Sequence, residues 1–142
     1  MQSKELKFID LFCGIGGFHQ ALIRHNYKCV MACDIDEKCR DVYKENYGIT
    51  PEKDIKKVDE KKLPDFDILC AGFPCQSYSN AGKKGNLNDP RGTLFEDILR
   101  IADEKKPMFM FLENVKHIKK IDNGNSFIHI TGQVENINCS KL

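Results

Sequence analysis

A chain of 142 residues, with 30% charged residues and a mean hydropathy of −0.46, has room for one domain with a real core and little for a second. A formal net charge of +1 excludes a strongly basic domain as the source of nucleic-acid affinity, which leaves local patches or a missing part. No apolar run approaches a membrane span, and Met1 to Glu5 lack the apolar region of a signal peptide, so an intracellular, non-secreted protein without a membrane partner is expected.

The first element, Lys7 to Phe12, reads as a strand that runs into Cys13, Gly14, Ile15, Gly16 and Gly17, with a helix from Phe18 to His25 behind it. Strand, glycine turn and helix together let a ligand approach the backbone closely and direct amides at an anionic group. The spacing Gly14-x-Gly16-Gly17 departs from the dinucleotide fingerprint G-x-G-x-x-G, which disfavours a nicotinamide or flavin oxidoreductase. Lys28 to Cys33 is a second strand. Asp34, at its end, lies twenty residues after Gly14, the distance at which an acidic residue in this architecture accepts hydrogen bonds from ribose hydroxyls. Asp36 suits the cap of a helix from Glu37 to Tyr47.

Gly48 to Pro51 end that helix, and in the charged segment that follows only Asp54 and Ile55 suggest a brief third strand. The central strand, Ile68 to Ala71, is apolar, short and bounded by Asp67 and Gly72, as expected for a strand covered on both faces. Pro74 fixes its own φ and holds Phe73 extended, so Cys75 emerges at the carboxyl edge of the sheet, where open α/β sheets bind ligands. Its polar neighbours, with Lys83 and Lys84 further along, are the setting that lowers a thiol's pKa and makes a nucleophile, and on local signals this stands level with the reading of a free cysteine as a small buried hydrophobe. Cys70, inside the apolar run, reads as a small buried hydrophobe. A long loop from Ser77 to Asp89 leads to a helix from Leu94 to Glu104, and Met108 to Leu112 forms another buried strand ending in Glu113, Asn114 and Val115. Cys75 and Glu113 are therefore expected to face one crevice from neighbouring strands. After a turn at Asp122 to Ser126, residues Phe127, Ile130, Val134 and Ile137 recur at helical spacing.

The seven cysteines form no secreted framework, so reduced thiols are expected. Cys29, Cys33 and Cys39 lack the close C-x-x-C pair of zinc sites, and Cys29 and Cys33 share parity on their strand, so no metal is expected. Lys83, Lys84 and Arg91, and Lys116, Lys119 and Lys120, are either nucleic-acid patches or ordinary solvated faces.

The ordered set of Phe8-Ile9-Asp10-Leu11-Phe12 with its glycine turn, Gly72-Phe73-Pro74-Cys75-Gln76, Arg91-Gly92-Thr93-Leu94-Phe95 and Glu113-Asn114-Val115 closely resembles the DNA cytosine-5 methyltransferase family over nearly the whole chain. The resemblance implies an α/β, Rossmann-like S-adenosylmethionine-dependent methyltransferase fold with a mostly parallel sheet of order 3-2-1-4-5, truncated before its last strands. Residues 1–142 would form a partial catalytic domain without the target-recognition domain. The implied cofactor is S-adenosylmethionine, with Phe12, Gly14, Gly16, Gly17, Asp34, Ile35, Asp54, Ile55, Pro74 and Leu94 around it. The implied catalytic pair is Cys75, adding to carbon-6 of a flipped cytosine, and Glu113, bonding the ring nitrogen and amino group. Gln76, Ser79, Arg91 and Asn114 would contact the substrate. The implied partners are double-stranded DNA and a second chain carrying the target-recognition part, if the enzyme is split. A tRNA methyltransferase and a non-catalytic cofactor-binding fragment stand as alternatives.

Overall fold

The computed structural model describes residues 5–74 and 94–137. Four short strands, β1 (Lys7–Leu11), β2 (Lys28–Cys33), β3 (Ile68–Gly72) and β4 (Phe109–Glu113), make one parallel sheet in the order β2-β1-β3-β4 among the described residues. Apolar residues occupy both faces of the inner strands, which is why their sequences read as unbroken hydrophobic runs. On one face, Ile9, Leu11, Met31, Leu69 and Ala71 pack against helix α3 (Leu94–Lys105), whose Phe95, Ile98, Ile101 and Ala102 are fully buried. Removing each of the three larger of those side chains from water contributes about 2 kcal/mol. On the other face, Phe8, Ala32, Ile68 and Cys70 meet Tyr43 of α2 (Glu37–Tyr47) and Phe18 and Leu22 of α1 (Gly17–Ile23). Helix α4 (Asn125–Glu135) buries Ile130 on the α3 side.

The expected fold class is therefore the one observed, with local differences that have physical causes. β1 stops at Leu11 because Phe12 adopts φ 54, a left-handed conformation no strand can continue through. The third strand expected at Asp54–Ile55 is not there. An isolated parallel bridge from Cys33 to Glu52 takes its place beside β2, and Asp54 instead caps a 3₁₀ turn, Ile55–Lys57, accepting a hydrogen bond from the Lys56 amide at 3.0 Å. A short side chain bonding its own backbone two residues on competes with a ladder, and here it wins. A second 3₁₀ turn, Glu60–Lys62, is capped in the same way by Asp59. Helix α4 begins at Asn125, so it absorbs the end of the turn expected at Asp122 to Ser126.

The parity expected for Cys29 and Cys33 is also corrected. The β1–β2 register shifts between Phe8 and Ile9, so that Val30 is an extra residue on β2 and Cys29 and Cys33 lie on opposite faces of the sheet. Among the described residues, strand β4 is the other edge. Phe109 and Phe111, on the face shared with Ile68 and Cys70, are 48% and 46% exposed.

Candidate cofactor site and catalytic edge

The carboxyl ends of β1 and β2 are joined by hydrogen bonds that begin in the glycine turn. The amide of Cys13 donates to the Cys33 carbonyl at 3.0 Å, and the amide of Gly14 donates to Asp34 Oδ2 at 2.7 Å. Asp34 Oδ1 accepts from the Asp36 amide at 2.9 Å, which fixes the carboxylate from both sides. Arg40, one turn into α2, donates through Nη1 to the carbonyls of Asp34 and Ile35 at 2.9 and 2.7 Å. A carboxylate has about four acceptor positions, so Asp34 can still receive hydroxyl donors.

Gly16 has φ 97, and a Cβ there would stand 2.8 Å from Tyr47 Cζ. The Tyr47 hydroxyl donates to the Gly16 carbonyl at 3.2 Å, so this glycine is required by the approach of α2 as much as by the turn. Nothing lies within 4 Å of a Cβ built on Gly14 or Gly17.

Beside this turn is a cavity of about 340 Å³, lined by Phe12, Cys33, Asp34, Ile35, Lys53, Asp54, Ile55, Lys56, Pro74 and Leu94. Seven of the ten residues expected around a cofactor are in that lining, and Gly14, Gly16 and Gly17 form the adjoining turn. The left-handed backbone at Phe12 and the 3₁₀ turn at Ile55 place two of its apolar walls. Ile35 is 70% exposed at the lip, an apolar side chain left open to solvent. Apolar walls carrying two carboxylates suit a flat heteroaromatic ring joined to a polyhydroxylated sugar.

At the other end of the sheet edge, β3 and β4 finish in register, Gly72 opposite Glu113. A Cβ on Gly72 would stand 3.3 Å from Glu113 Oε2, so the glycine leaves room for the carboxylate, which is exposed. Asn114 ties the two strand exits together. Its Nδ2 donates to the Phe73 carbonyl at 2.8 Å, and its Oδ1 accepts from the Val115 amide at 2.8 Å. Asn114, expected at the substrate, thus also serves as a latch between strand exits, a role for which Asn after a strand is a recognisable signal of side-chain to backbone bonding. Cys75, Gln76, Ser79 and Arg91 lie outside the described residues. Lys116 and Lys119 stand on a 3₁₀ turn (Lys116–Lys119) and line a mostly apolar cavity of about 410 Å³ with Phe73, Leu112 and Phe127.

Beneath the glycine turn is a polar cluster that the sequence reading did not anticipate. Asp10, 1% exposed within β1, accepts from the Tyr43 hydroxyl at 3.2 Å, and His19 Nδ1 lies 2.6 Å from the same hydroxyl. Burial pushes the Asp10 carboxyl up from 3.8 to about 7, against a smaller opposing pull from the Tyr43 hydroxyl and the His19 amide. Burial likewise raises the thiols of Cys29, Cys33 and Cys70, to about 11, 12 and 12, so these three stay protonated at neutral pH and are poor nucleophiles.

A parallel sheet with a glycine turn after its first strand and a carboxylate after its second defines a Rossmann-like, cofactor-binding α/β fold. The family model for C-5 cytosine-specific DNA methylase matches residues 6–139, and the chain belongs to that family. The chain is 53% identical over 121 residues to the type II methyltransferase M.HhaI of Haemophilus parahaemolyticus, covering 85% of this chain and 37% of that protein. It is 46% identical over 140 residues to M1.ScrFI of Lactococcus lactis subsp. cremoris, covering 96% of this chain and 35% of that protein. Among solved structures, the Dnmt2 methyltransferase of S. pombe superposes with a TM-score of 0.70 at 26% identity, over 89% of this chain and 41% of that one. A variant of Spodoptera frugiperda DNMT2 gives 0.68 at 29% identity, over 91% and 41%. The chain thus spans well under half the length of the relatives it matches.

Proposed function

We propose that this chain supplies the cofactor site and the catalytic edge of a DNA cytosine-5 methyltransferase. The observation that carries the reading is the convergence of Phe12, Asp34, Ile35, Asp54, Ile55, Pro74 and Leu94 on one cavity directly before the position of Cys75. In this reading Phe12 and Ile35 enclose the adenine of S-adenosylmethionine, Asp34 takes the ribose hydroxyls and Asp54 the adenine amino group. When bound, the cofactor supplies an electrophilic sulfonium methyl.

The residues of the chain prepare the acceptor. Carbon-5 of cytosine is a weak nucleophile until the Cys75 thiolate forms a bond from Sγ to carbon-6 and pushes an electron pair toward carbon-5. Glu113 hydrogen-bonds the ring nitrogen and exocyclic amine, which stabilises the charge that develops on addition. After carbon-5 has taken the methyl, loss of its proton returns the electrons, and the bond to sulfur breaks. Gln76, Ser79, Arg91 and Asn114 would hold the base and its flanking backbone. The base must leave the duplex stack for the thiol to reach it.

The exposed Phe109 and Phe111 on a strand that is a sheet edge among the described residues support a second element of the proposal, that further polypeptide pairs with β4 in the active protein, from the same or a second chain. The test is titration calorimetry with S-adenosylmethionine, followed by incubation with an oligonucleotide carrying 5-fluorocytosine and the remaining part of a type II relative supplied in trans. Fluorine blocks the final elimination, so a covalent adduct is expected with wild type and none with Cys75→Ser. No cofactor binding sinks the reading, and an equal adduct yield from the serine variant removes Cys75 from its role.

A further inference from the structure

The wall of the cofactor cavity that contains Asp54 and Ile55 is irregular backbone, held by Ile55 and Val58 packing into the core shared with Phe95, Ile98 and Ile101. After the isolated bridge at Glu52, residues 53–66 belong to no strand and contain two 3₁₀ turns, and Lys53, Asp54, Ile55 and Lys56 form one side of the cavity. Leu94, the first residue of α3, lines the same cavity from a different element. Beyond that packing, Arg100 joins the two by hydrogen bonds close to the cavity. Arg100 Nη2 donates to the Ile55 carbonyl at 3.0 Å, and Nη1 donates to the Val58 carbonyl at 2.8 Å and pairs with Glu60. Asp97 Oδ1 holds the guanidinium from behind, accepting from Nε and Nη2 at 3.3 and 3.1 Å.

We propose that Arg100 is a positioning residue for the cofactor, its planar fork fixing the distance between the turn that carries Asp54 and Ile55 and the helix that carries Leu94. The inference rests on reading this cavity as the S-adenosylmethionine site. Arg100 lies six residues beyond Leu94, roughly 9 Å along the helix axis, so it does not line the cavity and acts through the turns it grips. A guanidinium can serve two carbonyls and two carboxylates at once because its donors diverge in one plane, whereas an ammonium of equal charge cannot keep that geometry.

The test measures S-adenosylmethionine affinity of the whole chain by calorimetry, alongside its thermal midpoint. Arg100→Met is expected to raise the dissociation constant about tenfold or more, and Arg100→Lys about threefold, because charge alone does not restore the fork. Lys105→Met is the control. It removes the 3.5 Å pair to Asp65, which joins the same helix to the same connecting segment at the end away from the cavity. That variant is expected to lower the midpoint while leaving affinity within about twofold, as is Glu60→Gln, which spares both carbonyl contacts. If Arg100→Met does not fold, Arg100→Lys decides. Unchanged affinity in the Arg100 variants, or an equal loss in Lys105→Met, overturns the inference. A wild-type chain that binds no S-adenosylmethionine overturns the reading of the cavity and the inference together.

Discussion

The two ends of the sheet's carboxyl edge are built differently. Around β1 and β2, backbone amides, carboxylates and Arg40 close a network in which Asp34 alone accepts two amides and the glycine turn is packed against Tyr47. At β4, the carboxylate of Glu113 is exposed, two phenylalanines face outward and, among the described residues, the strand pairs on one side only, without a bridge like that of Glu52 beside β2. The first end is internally complete. The second presents chemistry and apolar surface to something further. Substitutions at the first end should therefore cost stability, and those at the second should cost little.

The largest effect expected is at Asp10, under the complete end. A carboxyl held near 7 in the fold and near 3.8 when unfolded binds its proton more tightly in the folded state. Its contribution is fully present below pH 4 and is lost as pH rises through 7, a swing of at most about 4 kcal/mol. Asp10→Asn removes that dependence and keeps the shape. Stability curves for both proteins between pH 4 and 8 should diverge, with wild type losing relative to the variant as pH rises. Parallel curves would mean that the carboxyl is ionised throughout.

Next in size is Gly16→Ala, which introduces a Cβ into the Tyr47 ring at φ 97 and should cost about 2 kcal/mol or more. Gly17→Ala, with open space around its Cβ at the start of α1, is expected to be neutral or slightly stabilising. Urea denaturation of the pair separates a glycine required by packing from one that is merely tolerated. Smaller again is Asn114→Ala. Loss of the bonds to the Phe73 carbonyl and the Val115 amide should cost about 1 to 2 kcal/mol. An unchanged denaturation midpoint would show that the latch contributes nothing and that the edge is looser than drawn here.

What the sequence made legible divides along the same line. Strand positions, the α2 cap at Asp36, the glycine turn and Asp34 were readable because each rests on a local signal such as an apolar run, a glycine, or an acid at a strand end, whereas the other cavity residues were expected from the family resemblance. The failures were non-local. The bulge at Val30 depends on how β2 meets β1, and no single-strand pattern carries it. The expected strand at Asp54–Ile55 was lost to a side chain bonding its own backbone. The Asp10, Tyr43 and His19 cluster unites three elements, and Arg100 joins residues more than forty positions apart, so neither appears as a spacing.

The smallest change in stability is expected at the half-exposed phenylalanines of β4. Phe109 and Phe111 point outward from β4 beside Ile68 and Cys70, on a face that α1 and α2 cover over β1 and β2. Replacing both with lysine removes an apolar strip from the sheet edge of the described residues without opening a cavity, so stability should move by no more than about 0.5 kcal/mol. Charged residues on an edge oppose strand-to-strand association. Sedimentation velocity should therefore show less self-association for the double variant than for wild type, with S-adenosylmethionine affinity unchanged. A loss of more than about 2 kcal/mol would mean that the rings are packed in solution, and β4 would then be as complete as the opposite end of the sheet.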